Sequence, residues 1–160
     1  MGTRSGDLDP AILFHLHRVA GLSVDDLDDL LNRRSGLLGL SGHADMREVI
    51  DAADGGDPAA TLALEVYLHR IRHYIGAYAA VLGGLDALVF TAGVGERSAV
   101  VRAGAVRGLE FLGLAIDPDA NAASSKQARS ISPAGAPVQV LVVPTDEELE
   151  IAQQTARLAG

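Results

Sequence analysis

The sequence contains no cysteine and no tryptophan. Without thiols, neither disulfides nor thiolate metal sites are available to it. Aromatic residues make up only 4% of the chain, which leaves no stacking platform for single-stranded nucleic acid. Positive charge is also scarce: 13 Lys and Arg face 21 Asp and Glu, for a net charge of −8. That balance argues against a general nucleic-acid surface, since phosphate contacts need clustered Lys and Arg, although one local arginine can still serve a nucleotide. No apolar run approaches the roughly 20 residues of a membrane span, and no charged-then-apolar leader opens the chain. A cytoplasmic protein without nucleic-acid or membrane partners is expected. What the sequence does have is 48% hydrophobic residues over 160 positions, enough by size for one domain's core.

The chain is organised around Leu85–Val101, LDALVFTAGVGERSAVV. Leu88-Val89-Phe90 reads as a buried strand, with Gly83-Gly84 before it. Ala92-Gly93-Val94-Gly95 breaks the strand, the two glycines permitting backbone angles that larger residues resist. Beyond Glu96 the spacing is helical, with Val100, Val101, Val106 and Leu109 roughly on one face. Strand, glycine turn and helix can aim backbone N–H groups at an anion. The same pattern also serves as a plain β-to-α turn. It is neither GxGxxG, since Ser98 holds the third glycine position, nor a P-loop.

The opening MGTRSGDLDP places Arg4 on a loop of Gly, Thr and Ser that reads as flexible. Asp9-Pro10 reads as N-cap and first helical residue of a helix to Ala20, stopped by Gly21. Ser23 and Asp26 start a second helix whose acids Asp25, Asp26, Asp28 and Asp29 complement its positive end, and Gly36 ends it. The spacing predicts a glycine-broken turn at 37–42, then a short helix to Ala53 entered through His43–Glu48. His43 has no companion at ligand spacing and reads as a surface or capping residue. Asp57-Pro58 opens the longest helix, to Leu82, with Leu62, Val66, Ile71, Ile75, Tyr78 and Leu82 as its apolar stripe. It reads as a core helix with a possible second role at a subunit contact. Phe111–Ile116 suits a short strand, 117–137 a surface excursion with a loop at 130–133, and Val138–Val143 a continuous apolar strand. Thr145 and Glu148 predict a capping box for the last helix. Glu147 then sits in the first turn, where a carboxylate also complements the helix dipole.

The strand count implies incompleteness. Apolar parallel strands such as 88–91 and 138–143 are normally buried inside a wider sheet. Two or three strands alone leave unpaired edges. An open edge is therefore expected, to be filled by an N-terminal half missing from this chain or by a complementary chain.

MGTRSGDLDPA at 1–11, SGHADMREV at 41–49, DALVFTAGVGERSAVVR at 86–102 and VVPTDEELEIAQQTARL at 142–158 together resemble the C-terminal part of the acetate kinase family, in order and along nearly the whole chain. The resemblance implies an α/β, ribonuclease-H-like domain of the acetate and sugar kinase, Hsp70 and actin superfamily. It is incomplete, with its first strands and the N-terminal domain lying upstream of Met1. Within residues 1–160 it implies a helical segment at 9–54 and the α/β core at 57–160. The implied reaction is transfer of the ATP γ-phosphoryl group to acetate, giving acetyl phosphate and ADP with Mg²⁺, by a homodimer. By resemblance Arg4 is catalytic, contacting the transferring phosphoryl group and the carboxylate. Asp45, Met46 and Arg47 line the adenosine pocket. Gly93, Val94, Gly95, Glu96 and Arg97 hold the nucleotide, and Glu147 helps bind Mg²⁺. Arg4, the glycine turn and Glu147 are expected to face one gap. The family usually has isoleucine, asparagine and often phenylalanine where this chain has Val94, Arg97 and Met46. A propionate or butyrate kinase shares this half, and a non-catalytic dimerisation or nucleotide-binding remnant is the reading from another class. The 160 residues alone are expected to turn nothing over.

Overall fold

A computed structural model describes residues 2–145 and 147–159, with the side chains of 147–149 and 159 outside the description. The chain divides into two compact units, Met1–Arg70 and Ile71–Gly160.

The first unit is helical. α1 (Ala11–Ala20) follows Pro10, which already has helical angles, and the Asp9 carboxylate just before it accepts the Ala11 N–H at 2.8 Å. α2 (Val24–Arg33) begins with the expected capping box, in which the Ser23 Oγ accepts from the Asp26 N–H and the Asp26 carboxylate accepts from the Ser23 N–H. Asp29 pairs with Arg33 and Arg34 and Asp28 accepts from Asn32, so the acidic run is a paired helix surface. Residues 37–42 are not the broken turn the glycines suggested. Gly36–Ser41 is α3, and Gly42, at φ 81°, ends it in the left-handed region. Asp45 caps α4 (Met46–Asp54) through the Arg47 N–H, and Asp57 starts α5 (Pro58–Leu82) by accepting the Ala59 N–H at 2.8 Å.

The stripe assigned to α5 needs correction. Leu62, Val66, Tyr78 and Leu82 are exposed, while Ala60, Ala63, Ile75 and Ala79 are buried. Much of this helix surface is apolar, so several stripes fit the period, and the one with small alanines allows the closest packing.

The second unit carries a three-stranded sheet, β1 (Ala87–Phe90), β2 (Arg129–Ser130) and β3 (Gln139–Val142), in the order β1-β3-β2. β1 runs parallel to β3 with Phe90 opposite Val142, and β2 runs antiparallel to β3. Among the described residues β1 has no partner on its far side, as the strand count required. Val140 and Val142 are buried against Phe90, Val106, Leu114 and Ile131, whereas Val89 is 49% exposed.

Two expectations fail here. Phe111–Ile116 is not a strand: Glu110–Leu112 is a single 3-10 turn ended by Gly113 at φ 85°, and only Leu114 is buried there. The 130–133 loop instead contributes Ser130 to β2, with Ile131 fully buried. The remaining helices are α6 (Ala92–Arg97), α7 (Ala99–Val106), α8 (Pro118–Ala122) and α9 (Glu147–Ala159). No described helix is long and apolar enough to cross a membrane.

Candidate functional site

Arg4 lies in the first unit on a segment without regular secondary structure that hydrogen bonds hold in place. Backbone hydrogen bonds fix the segment on both sides of it: Leu38 N–H to Gly2 O, Ser35 N–H to Thr3 O, and Ser5 N–H to Leu31 O, all at 2.8–2.9 Å. The Thr3 hydroxyl adds a bond to Asn32 O at 2.9 Å. Gly2 is needed because a Cβ there would stand 2.6 Å from the Ala44 carbonyl oxygen. The Arg4 side chain is exposed and borders a hollow of about 890 Å³ shared with Asn32 and Ala44. Among the described residues it forms no ion pair. A fixed backbone carrying an uncommitted guanidinium is suited to meet an incoming anion, because little ordering remains to be done at contact.

In the same unit, Asp45 both caps α4 and accepts the Arg47 guanidinium at 2.6 and 3.0 Å. Those bonds hold its carboxyl at about 2, and they raise Arg47 in return. The Arg47 side chain is 85% exposed, whereas Met46 is buried within the unit. Half-buried His43 lies 3.6 Å from Glu48, consistent with a surface role.

In the second unit the glycine turn forms α6, directly after β1. The left-handed residue is Ala92, at φ 57°, not Gly93 or Gly95. A non-glycine residue there is under strain that its surroundings must offset. The glycines serve by their lack of side chain. At Gly95 a Cβ would lie in van der Waals contact with Phe90, 3.4 Å from its backbone, and at Gly93 it would meet nothing within 4 Å. Gly93 and Arg97 are exposed, and Val94, Gly95 and Glu96 are half-buried. Gly95 therefore seats α6 against β1, while Gly93 leaves bare backbone open to approach.

Two side chains hold this turn. Glu96 accepts from Thr145, linking the turn to the segment that leads into α9. The Thr145 N–H is the main reason the Glu96 carboxyl lies below its ordinary range. Arg102, only 2% exposed, donates to the carbonyl oxygens of Gly95 and Glu96 at 2.9 and 2.8 Å. Sequence reasoning gave Arg102 no role, although a lone cation inside the apolar α7 segment AVVRAGAV was a signal. Ser98 separates α6 from α7 and caps the latter through the Val101 N–H.

Glu147 is the first residue of α9, and its side chain, with that of Glu148, lies outside the described residues, as does Asp146. No group of three potential metal-ligating side chains occurs among the described residues. Arg4, Asp45, Met46 and Arg47 thus belong to the first unit, and Gly93–Arg97 and Glu147 to the second.

Comparison with known proteins places these features in a family. The model for the Acetokinase family matches residues 1–153. The acetate kinase of Leifsonia xyli is 65% identical over 96% of the chain, and that of Clavibacter michiganensis is 66% identical over all of it. These matches cover 39% and 41% of the two relatives, so the chain spans about two fifths of their length. A Porphyromonas gingivalis acetate kinase structure superposes with a TM-score of 0.89 at 44% identity, covering 100% of this chain and 40% of that one. A Francisella tularensis propionate kinase gives 0.87 at 42% identity, covering 96% and 39%. The α/β architecture with its small open sheet is that of a partial acetate kinase domain, and the chain belongs to the acetokinase family.

Proposed function

We propose that this chain is the nucleotide-holding portion of an acetate kinase, which transfers the γ-phosphoryl group of ATP to acetate and releases acetyl phosphate and ADP. The observation that carries the reading is the turn at 92–97. Its Gly93 backbone is open on the outside, and Arg102 and the Glu96–Thr145 bonds fix it. Such a turn presents main chain to a nucleotide with no side chain in the way, in a geometry set before binding.

Phosphoryl transfer depends on positioning and charge neutralisation more than on covalent help from the protein. Gly93–Arg97 hold the nucleotide by backbone contact. Arg4 offers a planar donor fork to the transferring phosphoryl oxygens and to the acceptor carboxylate, and its pinned segment limits the freedom lost on contact. Asp45, Met46 and Arg47 form the adenosine side, with Asp45 orienting the Arg47 guanidinium. Mg²⁺ neutralises phosphate charge when bound. Its preference for oxygen ligands and retained water fits a single carboxylate from this chain, Glu147. The resemblance also implies a cytoplasmic homodimer.

The second reading is a propionate kinase, favoured by the superposition on the Francisella enzyme. A hydroxamate assay tests both on the protein extended to the length of its relatives, supplied with ATP, Mg²⁺ and acetate, propionate or butyrate. Acetate is expected to give the highest kcat/KM, and the 160 residues alone are expected to give no turnover. Preference for a longer acid would establish the second reading. Absence of turnover on every acid, with nucleotide binding intact, would mark a non-catalytic remnant.

A further inference from the structure

Arg102 is buried to 2% exposure, yet no carboxylate pairs with it among the described residues. Removing a guanidinium from water is costly unless its N–H groups find partners. Here the partners are neutral oxygens. Nη1 donates to the carbonyls of Gly95 and Glu96, while Nε donates to Asn121 Oδ1 at 2.7 Å and Nη2 to Asn121 O at 2.6 Å. Half of the hydrogen bonds that fix this cation thus come from one residue of α8, 19 positions away.

Asn121 is itself 5% exposed and uses both ends of its amide. Oδ1 faces Arg102, and Nδ2 donates to Ala99 O at 3.0 Å, at the start of α7. A flipped amide would set NH₂ against the guanidinium and oxygen against the carbonyl, so the network admits one orientation. The Asn121 N–H is occupied as well, by Asp117 O at 2.9 Å. Every polar group through which Asn121 could slip is therefore engaged, and its position passes through Arg102 to the two carbonyls of the turn.

We propose that Asn121 is a positioning residue for the nucleotide turn, acting through Arg102. The proposal rests on the nucleotide reading of residues 93–97 and extends it to a residue whose side-chain hydrogen bonds go to Arg102 and Ala99 rather than to the turn. Neutral polar partners suit this task. Their oxygens satisfy the N–H groups that burial removes from water, and the planar fork of the guanidinium joins Asn121 to the two turn carbonyls.

The test compares Asn121→Leu, Asn121→Asp, Arg102→Met, the Asn121→Leu/Arg102→Met double variant, and Val140→Ala as a core control. Calorimetry with Mg²⁺ and ADP gives affinity, thermal melting gives stability, and hydrogen exchange reads the amides of Gly95–Ser98 against those of β3. Asn121→Leu is expected to weaken nucleotide binding about tenfold, the scale of a hydrogen bond to a charged group. Exchange at 95–98 should rise while β3 stays protected. Asn121→Asp keeps an acceptor for Arg102 and is expected to stay within about threefold of wild type. The double variant should be no worse than the poorer single, because both substitutions break one chain of contacts.

Val140→Ala should lower the melting temperature without changing affinity or exchange at 95–98. Unchanged affinity and unchanged exchange in Asn121→Leu would overturn the proposal, as would additive losses in the double variant. So would an affinity loss in Val140→Ala that matched its stability loss. If Asn121→Leu does not fold, Asn121→Ser, too short to reach Arg102, carries the test: faster exchange at 95–98 with β3 still protected is expected, and unchanged exchange there would overturn the proposal. Wild-type protein that binds no nucleotide would remove the reading of the turn, and the exchange measurement would still decide whether Asn121 positions it.

Discussion

The Glu96 carboxylate accepts two hydrogen bonds from Thr145, from the backbone N–H at 2.8 Å and from the hydroxyl at 3.0 Å, across 49 residues of sequence. One oxygen, Oε1, takes both. It ties the turn after β1 to the end of the segment after β3, two places that a parallel pairing of strands already brings side by side. Glu96 therefore acts on the turn at 92–97 from within the protein, as a brace, rather than by reaching outward.

That brace has a conservative test. Glu96→Gln keeps an oxygen acceptor for Thr145, and Glu96→Ala removes it. Glu96→Ala is expected to lower the melting temperature and weaken ADP binding on the order of tenfold, with Glu96→Gln recovering most of both. Melting curves and calorimetry on the two variants check this. Equal losses would show that charge, not the bond to Thr145, matters.

Gly93→Val separates folding from binding. The added side chain meets no protein atom near its Cβ, and Gly93 does not occupy the left-handed region. Stability should change by less than about 1 kcal/mol, as for most substitutions away from packed or strained positions. Nucleotide affinity should fall at least about tenfold, since the new side chain fills the open approach. Gly95→Val should instead destabilise the fold, because a Cβ there already reaches contact with Phe90 and the two further methyl groups add bulk at that contact.

Arg4→Lys retains charge but loses the planar fork. Its exposure predicts unchanged melting. In the protein extended to the length of its relatives, kcat should fall about 100-fold or more, the scale of losing a preorganised transition-state donor. Steady-state kinetics beside a melting curve reads both quantities.

Asp45 supplies a pH dependence. Its carboxyl is held down from 3.8 to about 2, first by the Arg47 side chain and then by the Arg47 N–H. A depressed carboxylate stabilises the fold fully above its ordinary value, and that stabilisation fades as pH falls through its folded value. The contribution of Asp45 should thus be complete above pH 3.8 and disappear toward pH 2. Melting of wild type and Asp45→Asn across that window should converge at the acid end. A gap that widened on acidification would refute the assignment.

The helix starts were legible because their signals are local: Ser23 with Asp26, and Asp57 before Pro58, each bond within three residues. The open edge of β1 was legible too, from too few strands to cover two apolar ones. Other features depend on distant partners. Glycine content at 92–95 announced an unusual backbone but could not say that Ala92 would carry the positive φ. The α5 period could not choose between the Leu62–Leu82 stripe and the alanines that are buried. At the site, the turn was visible as a motif, whereas its supports Asn121 and Thr145 lie 19 and 49 residues from the groups they hold.

The most direct measurement is calorimetry of the 160-residue protein with Mg²⁺ and ADP, repeated with Gly93→Val. The account predicts one site per chain, with Kd tighter than about 1 mM, and its loss in the variant at unchanged melting temperature. No binding by well-folded wild-type protein, or equal binding by both, would contradict it.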